Sequence, residues 1–153
     1  CLVLFIYKDG SFSLPVKDYD HDEENLIKWK SLGDMNQKEK RKALQKDNEI
    51  NRSQQNITYG FLNGEPEAAQ FFQSGSEPIE NIAHVLLFTD GFFPPKENPQ
   101  EPDDFSPLVA LFLDKNLEAI IDDIRKKELQ DPECITYPRM KPHDDATAVA
   151  ISF

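Results

Sequence analysis

Three apolar runs of strand length, at residues 2–8, 82–88 and 146–153, constrain this chain more than anything else in it. Each is the length of a strand and too short for a typical buried helix. They predict a sheet. The first run ends in Lys8-Asp9-Gly10, and Asp-Gly between apolar runs is a tight-turn signal. Residues 11–16 are therefore expected to return as a second strand, with Phe12 and Leu14 alternating against Ser11 and Ser13. None of the runs approaches the roughly 20 residues of a membrane span. The leading run also lacks the basic flank and cleavage site of a signal peptide. No membrane partner is expected.

Between the strand candidates lie segments of different character. Residues 17–60 are the most polar, and Asn36 with Glu39 three residues on is a capping pair for a helix through Lys38-Glu39-Lys40-Arg41-Lys42. Only Met35, Ala43 and Leu44 give that helix an apolar side, so a surface helix is predicted, running into a loose loop through Ser53 and Gln55. Trp29 reads as an anchor holding this segment to the sheet, or as part of a flap that meets substrate. Residues 59–64 look like a turn, and residues 69–73 could form a further strand. Ser106-Pro107 predicts a helix start, with the hydroxyl as cap and Pro in the first turn. Leu108, Phe112, Leu117, Ile120, Ile121 and Ile124 then recur at helical spacing, giving one or two packed helices before Asp131-Pro132. The expected class is α+β, in a chain of 153 residues that is one domain or part of one.

Charge and cysteine usage narrow the function classes. The net charge of −11, from 28 acidic against 17 basic residues, speaks against a nucleic-acid partner. An acidic domain can still handle an anionic phosphoester if metal cations invert the local field. Cys1 and Cys134 form neither a disulfide framework nor a zinc spacing, which predicts a reducing, cytoplasmic setting. Asn51-Arg52-Ser53 and Asn56-Ile57-Thr58 match the glycosylation sequon, a pattern short enough to recur by chance.

Two places set carboxylates at the ends of apolar strands. Residues 85–88 run into Thr89-Asp90-Gly91, and His143-Asp144-Asp145-Ala146-Thr147 runs into the last strand. Were those strands antiparallel neighbours, Asp90 and Asp144 would meet at one sheet edge. Asp oxygens without a His or Cys cluster suit Mg²⁺ or Mn²⁺ rather than zinc or copper. Gly91 would let the backbone pass close to an ion or its waters. Each motif alone also reads as ordinary turn chemistry. His143 adjoins Asp144 and can tune the site, or be a plain loop histidine. His21, His84 and His143 are too scattered in sequence for a zinc site, and neither a G-x-S-x-G elbow nor a Gly-rich phosphate loop occurs.

Residues 85–92 resemble the strand and "TDG" motif of the type 2C metal-dependent protein serine/threonine phosphatases, and residues 144–147 resemble their closing D-D/N-x-T/S motif. The leading strand with Lys8-Asp9-Gly10 is similar to the strand and "R-D-G" hairpin after their G-D-S motif. Asp18-Tyr19-Asp20-His21 resembles the acidic "DH" stretch that follows, and residues 59–66 resemble a turn upstream of "TDG" in bacterial members. These marks arrive in family order and span nearly the whole chain. The resemblance implies the C-terminal part of an α-β-β-α sandwich, with residues 1–153 one part of a phosphatase domain. It implies a dinuclear Mg²⁺ or Mn²⁺ centre with Asp90 and Asp144 as ligands. Asp145 would steady them by hydrogen bonds, and Thr89 would be a close neighbour rather than a ligand. The substrate implied is a phosphoserine or phosphothreonine protein, attacked by an activated water with no covalent phospho-enzyme.

The family's first metal-binding Asp-Gly pair and the Arg that contacts phosphate are not found in this sequence, and Asp9-Gly10 occupies the hairpin position instead. The chain also opens at Cys1 directly into a strand. The expectation is a longer parent whose N-terminal part completes the domain, with this part alone a poor phosphatase. Two alternatives stand beside that reading. One is a non-catalytic phosphatase-like interaction or sensor module. The other is an unrelated α+β binding domain in which both Asp motifs are turns.

Overall fold

Alternation within the first strand decides which way the sheet faces. In the computed structural model, which describes residues 1–16 and 22–153, the strands are β1 (Leu2–Tyr7), β2 (Phe12–Ser13), β3 (Ile82–Phe88) and β4 (Ala148–Ser152). The helices are α1 (Glu23–Ser31), α2 (Gln37–Ala43), α3 (Gln45–Arg52), α4 (Ser106–Asp114) and α5 (Leu117–Gln130). All strand pairs are antiparallel, in the order β2-β1-β3-β4. Gly10, at φ +85°, makes the β1–β2 turn in a region that side chains resist. β2 is shorter than the expected 11–16, since Pro15 lacks the N–H that would carry the ladder on. The acidic stretch 18–21 lies outside the described residues.

One face of the sheet is covered. Leu2, Leu4, Ile6, Leu86 and Phe88 pack with Phe105, Leu108, Val109, Ile120 and Ile124 of the α4–α5 layer. Two helices fill the expected 106–129 span. The Asn116 side chain caps the second by accepting from the Ala119 N–H at 2.9 Å. The start of α4 differs from expectation: Ser106 is the first helical residue rather than the cap, Phe105 precedes it without a capping side chain, and the Ser106 N–H is taken up by Asp104 Oδ1 at 2.9 Å, with Pro107 in the first turn.

The other face is apolar too. Register pairs Val3 with Leu87 and Leu87 with Val149, and pairs Phe5 with Val85 and Val85 with Ile151. Directly opposed residues share a face. These six therefore point away from α4 and α5. Leu87 is 39%, Val149 51% and Ile151 45% exposed. On β4 the residues toward the helices are Ala148 and Ala150, while the bulkier Val149 and Ile151 face outward.

Residues 22–60 form an ordered helical unit rather than one helix and a loose loop. Asn36 and Glu39 form the predicted capping box of α2. The segment read as loop is instead α3 followed by a turn organised by Asn56. Its buried side chain accepts from the Phe61 N–H at 2.8 Å and donates to Asn63 and Glu65. That burial also removes Asn56 from any role as a sequon. Residues 69–73 are not a strand: Pro66–Phe71 form a 3-10 turn, which Pro66 favours at its first position. Trp29 is indeed an anchor, though not to the sheet. Fully buried, it packs with Leu44 and Cys134 and donates its Nε1–H to the Cys134 carbonyl at 2.8 Å. The helical unit is thereby fixed to residues 131–140, the loop that leads into the second Asp motif. No described helix is long and apolar enough to cross a membrane.

Candidate functional site

The two Asp motifs meet because β3 and β4 are antiparallel neighbours. The ladder runs one step past Phe88–Ala148: Thr89 donates its N–H to the Thr147 carbonyl at 3.0 Å, and Thr147 donates its N–H to Thr89 Oγ1 at 3.0 Å. Thr89 is thus the clasp between the motifs. Beyond it the chains converge so closely that a Cβ on Gly91 would overlap the Asp145 carbonyl. Glycine is required there for the approach of two backbones, whereas the sequence suggested only the approach of an ion or its waters.

Asp90, Gly91 and Asp144 line one cavity of about 860 Å³. Its far wall belongs to the helical unit and the turn after it, including Arg52, Tyr59 and Phe61. Asp145 contributes through its backbone: its N–H donates to Asp144 Oδ1 at 2.7 Å, and its carbonyl lies 3.5 Å from Thr89 Oγ1. Asp144 Oδ1 also pairs with the Lys141 ammonium at 2.6 Å. The hydrogen bond to Asp144 raises the Lys141 pKa against the opposing effect of burial, and the fields of Asp144, Asp145 and Asp90 add to it. Among the described residues, no three His, Cys, Asp or Glu side chains gather as a metal-binding group.

No protein-family model, curated protein or solved structure matches the chain. The site is therefore read from its own geometry.

A hydrogen-bonded knot below the cavity fixes the loop that carries Asp144. Asp131 accepts from the N–H groups of Ile135, Thr136 and Tyr137 and pairs with Arg139 at 2.8 Å. Arg139 in turn donates to the carbonyls of Glu128, Asp131, Tyr137 and Pro142. Burial alone would raise the Asp131 pKa. The Tyr137, Ile135 and Thr136 N–H groups and the Arg139 guanidinium outweigh that and hold the carboxyl below the ordinary Asp value. Arg125 donates to the Asp144 carbonyl and pairs with Glu128 at 2.6 Å, and His143 Nδ1 lies 2.9 Å from the same Glu128 oxygen. The His143 side chain is thus turned to Glu128, which shares Arg125 with the Asp144 carbonyl. His84 is a packing residue, set edge-on to Phe112.

Sequence reasoning missed Lys141, Arg139, Arg125 and Glu128. Lys141 had a local signal, lying three residues before Asp144 with Pro142 between. The others join through folding alone. Cys134 is no reactive group: burial pushes its thiol up to about 11.

Proposed function

We propose that the chain carries the C-terminal part of a metal-dependent protein serine/threonine phosphatase of the type 2C kind. The reading rests above all on Asp90 and Asp144 lining one cavity from adjacent antiparallel strands. Asp90 and Asp144 would offer two of the hard oxygen ligands that Mg²⁺ or Mn²⁺ take, an incomplete set among the described residues. A positive charge is already held there, on Lys141. When bound, such a cation supplies activation of water and neutralisation of phosphoryl oxygens. This chain's own residues do the positioning. Thr89 and Thr147 set the spacing of the strand ends, Arg125 holds the Asp144 main chain, and the Asp131–Arg139 knot keeps the loop from drifting.

A second apolar layer belongs with this reading. The bulky face of Val3, Phe5, Val85, Leu87, Val149 and Ile151 fits the inner face of another sheet stacked roughly 10 Å away, the middle of an α-β-β-α sandwich. The remaining ligands, and the cation that would contact the phosphate, would come from that layer. The substrate is then a phosphoserine or phosphothreonine protein, its flanking residues resting between the helical unit and the strand ends. A cytoplasmic setting suits the two free thiols.

The lack of a third metal-binding side chain among the described residues favours one other reading, a phosphatase-like module that binds phosphoproteins without turnover. Hydrolysis of p-nitrophenyl phosphate with Mn²⁺ separates them. The chain alone is expected to show no turnover above background. A longer parent that supplies the second layer is expected to turn over, with Asp144→Asn lowering kcat by about 100-fold or more, since even outer partners of a metal are worth 10–100-fold. A parent that binds phosphopeptide without turnover supports the module instead. Robust turnover by residues 1–153 alone would refute the claim that the second layer is needed.

A further inference from the structure

We infer that Phe61 is a specificity-determining residue, the seat for a bulky apolar side chain flanking the phosphoresidue of a substrate protein, with Arg52 on the same wall drawing the segment's negative charge. What occupies the cavity rests on the phosphatase reading above; how it is recognised rests on the far wall alone. Phe61 lines the cavity of about 860 Å³ that also holds Asp90 and Asp144, yet its ring is 46% exposed. Clefts of this size ordinarily enclose a ligand, and a ring left partly in water at the edge of one is there to be covered by what enters. The neighbouring Leu62 is 82% exposed and lies outside the cavity lining.

Both flanks of Phe61 are fixed. On one side Gly60 packs so closely on Phe71 that a Cβ there would overlap the Phe71 side chain. On the other, Asn63 donates its N–H to the Phe61 carbonyl at 3.0 Å and accepts from Asn56 Nδ2 at 2.9 Å. Asn56 stands at φ +57°, a left-handed conformation that asparagine tolerates, and donates its N–H to the Tyr59 carbonyl at 2.7 Å. Gln70 closes the turn by donating to the Asn56 carbonyl at 2.9 Å. The ring is thus presented on a preorganised turn, so a ligand that covers it pays little ordering entropy. Buried Tyr59 donates its hydroxyl to the Asn51 carbonyl at 3.1 Å and braces the turn against the end of α3. Charge points to the same occupant. The net charge of −11 repels an anionic segment, and Arg52, in the last turn of α3, sets on this wall a guanidinium of the kind that recognises phosphate and carboxylate. Aromatic and Arg side chains are also those that carry most of the binding energy at protein interfaces.

The test is fluorescence anisotropy of a short labelled phosphoserine peptide with leucine beside the phosphoserine, titrated with the 153-residue chain in the absence of metal. Phe61→Ala is expected to weaken binding about 5- to 20-fold, and Phe61→Leu to restore most of it. Replacing the peptide's leucine by alanine should weaken wild type to a similar extent and add little in Phe61→Ala, because the two changes remove one contact. Arg52→Gln should cost about 2- to 5-fold at low salt and less as salt is raised, and Leu62→Ala should change nothing. Unchanged binding in Phe61→Ala, an equal loss in Leu62→Ala, or no binding by the wild-type chain overturns the subsite. The phosphatase reading is judged separately by turnover of p-nitrophenyl phosphate in the longer parent, since that substrate has no flanking residue to meet Phe61.

Discussion

Asp131→Ala is expected to lower the unfolding free energy by about 3–5 kcal/mol, the range for breaking a buried, hydrogen-bonded ion pair. The carboxylate is 8% exposed and its Arg139 partner 15%, so water cannot readily take over the lost contacts. Three N–H groups, of Ile135, Thr136 and Tyr137, also lose their acceptor. For m of about 2 kcal/mol/M, the urea midpoint should fall by about 1.5–2.5 M. The single Trp29 packs against Cys134 in this loop and reports the change by fluorescence. The pH dependence has a definite sign. Because the folded pKa of Asp131 is depressed, its contribution is complete above the unfolded value of about 3.9 and is lost as pH falls through the lower folded value. The gap between wild type and Asp131→Ala should therefore narrow as the solution is acidified below about pH 4. A gap that widens there would contradict this assignment.

Trp29→Ala should cost about 3–5 kcal/mol of local rather than global stability. Trp29 belongs to a small cluster with Leu44 and Cys134, separate from the sheet core built on Leu4, Ile6 and Leu86. Lys40, 1% exposed, sits 5.3 Å above the indole and would lose the ring that faces its charge. Amide exchange should thus accelerate in α1–α3 while β1 and β3 keep their protection. Equal acceleration everywhere would show that the two clusters unfold as one. The detached unit would also remove the wall of the cavity opposite Asp90, leaving the strand ends in place.

The sheet was legible because its strands are dense apolar runs with clear stops. Residues 82–88 match β3 at both ends, and Gly10 marks the first turn. The Asn36–Glu39 cap was legible for the same kind of local reason, a side chain satisfying N–H groups three residues away. α3 was missed because none of its residues is buried, leaving no apolar stripe to see. The 3-10 turn at Pro66 was missed because Ala69, Phe71 and Phe72 suit a strand until the preceding proline is weighed. The pairing of the Asp motifs was legible as a condition on strand direction, and the antiparallel register meets it. The knot around Arg139 was not, since Glu128, Asp131 and Pro142 join it only when the loop folds back on α5. Nor could the sequence say that Gly91 serves the contact of two backbones.

Paramagnetic broadening of amide signals by Mn²⁺ tests most directly whether the two strand ends share one cation. In the wild-type chain the Gly91 and Asp145 amides should broaden together at Mn²⁺ well below one equivalent, and Asp144→Asn should abolish the effect at both. Broadening confined to one motif, or unchanged by Asp144→Asn, would mean that no common cation site exists at Asp90 and Asp144.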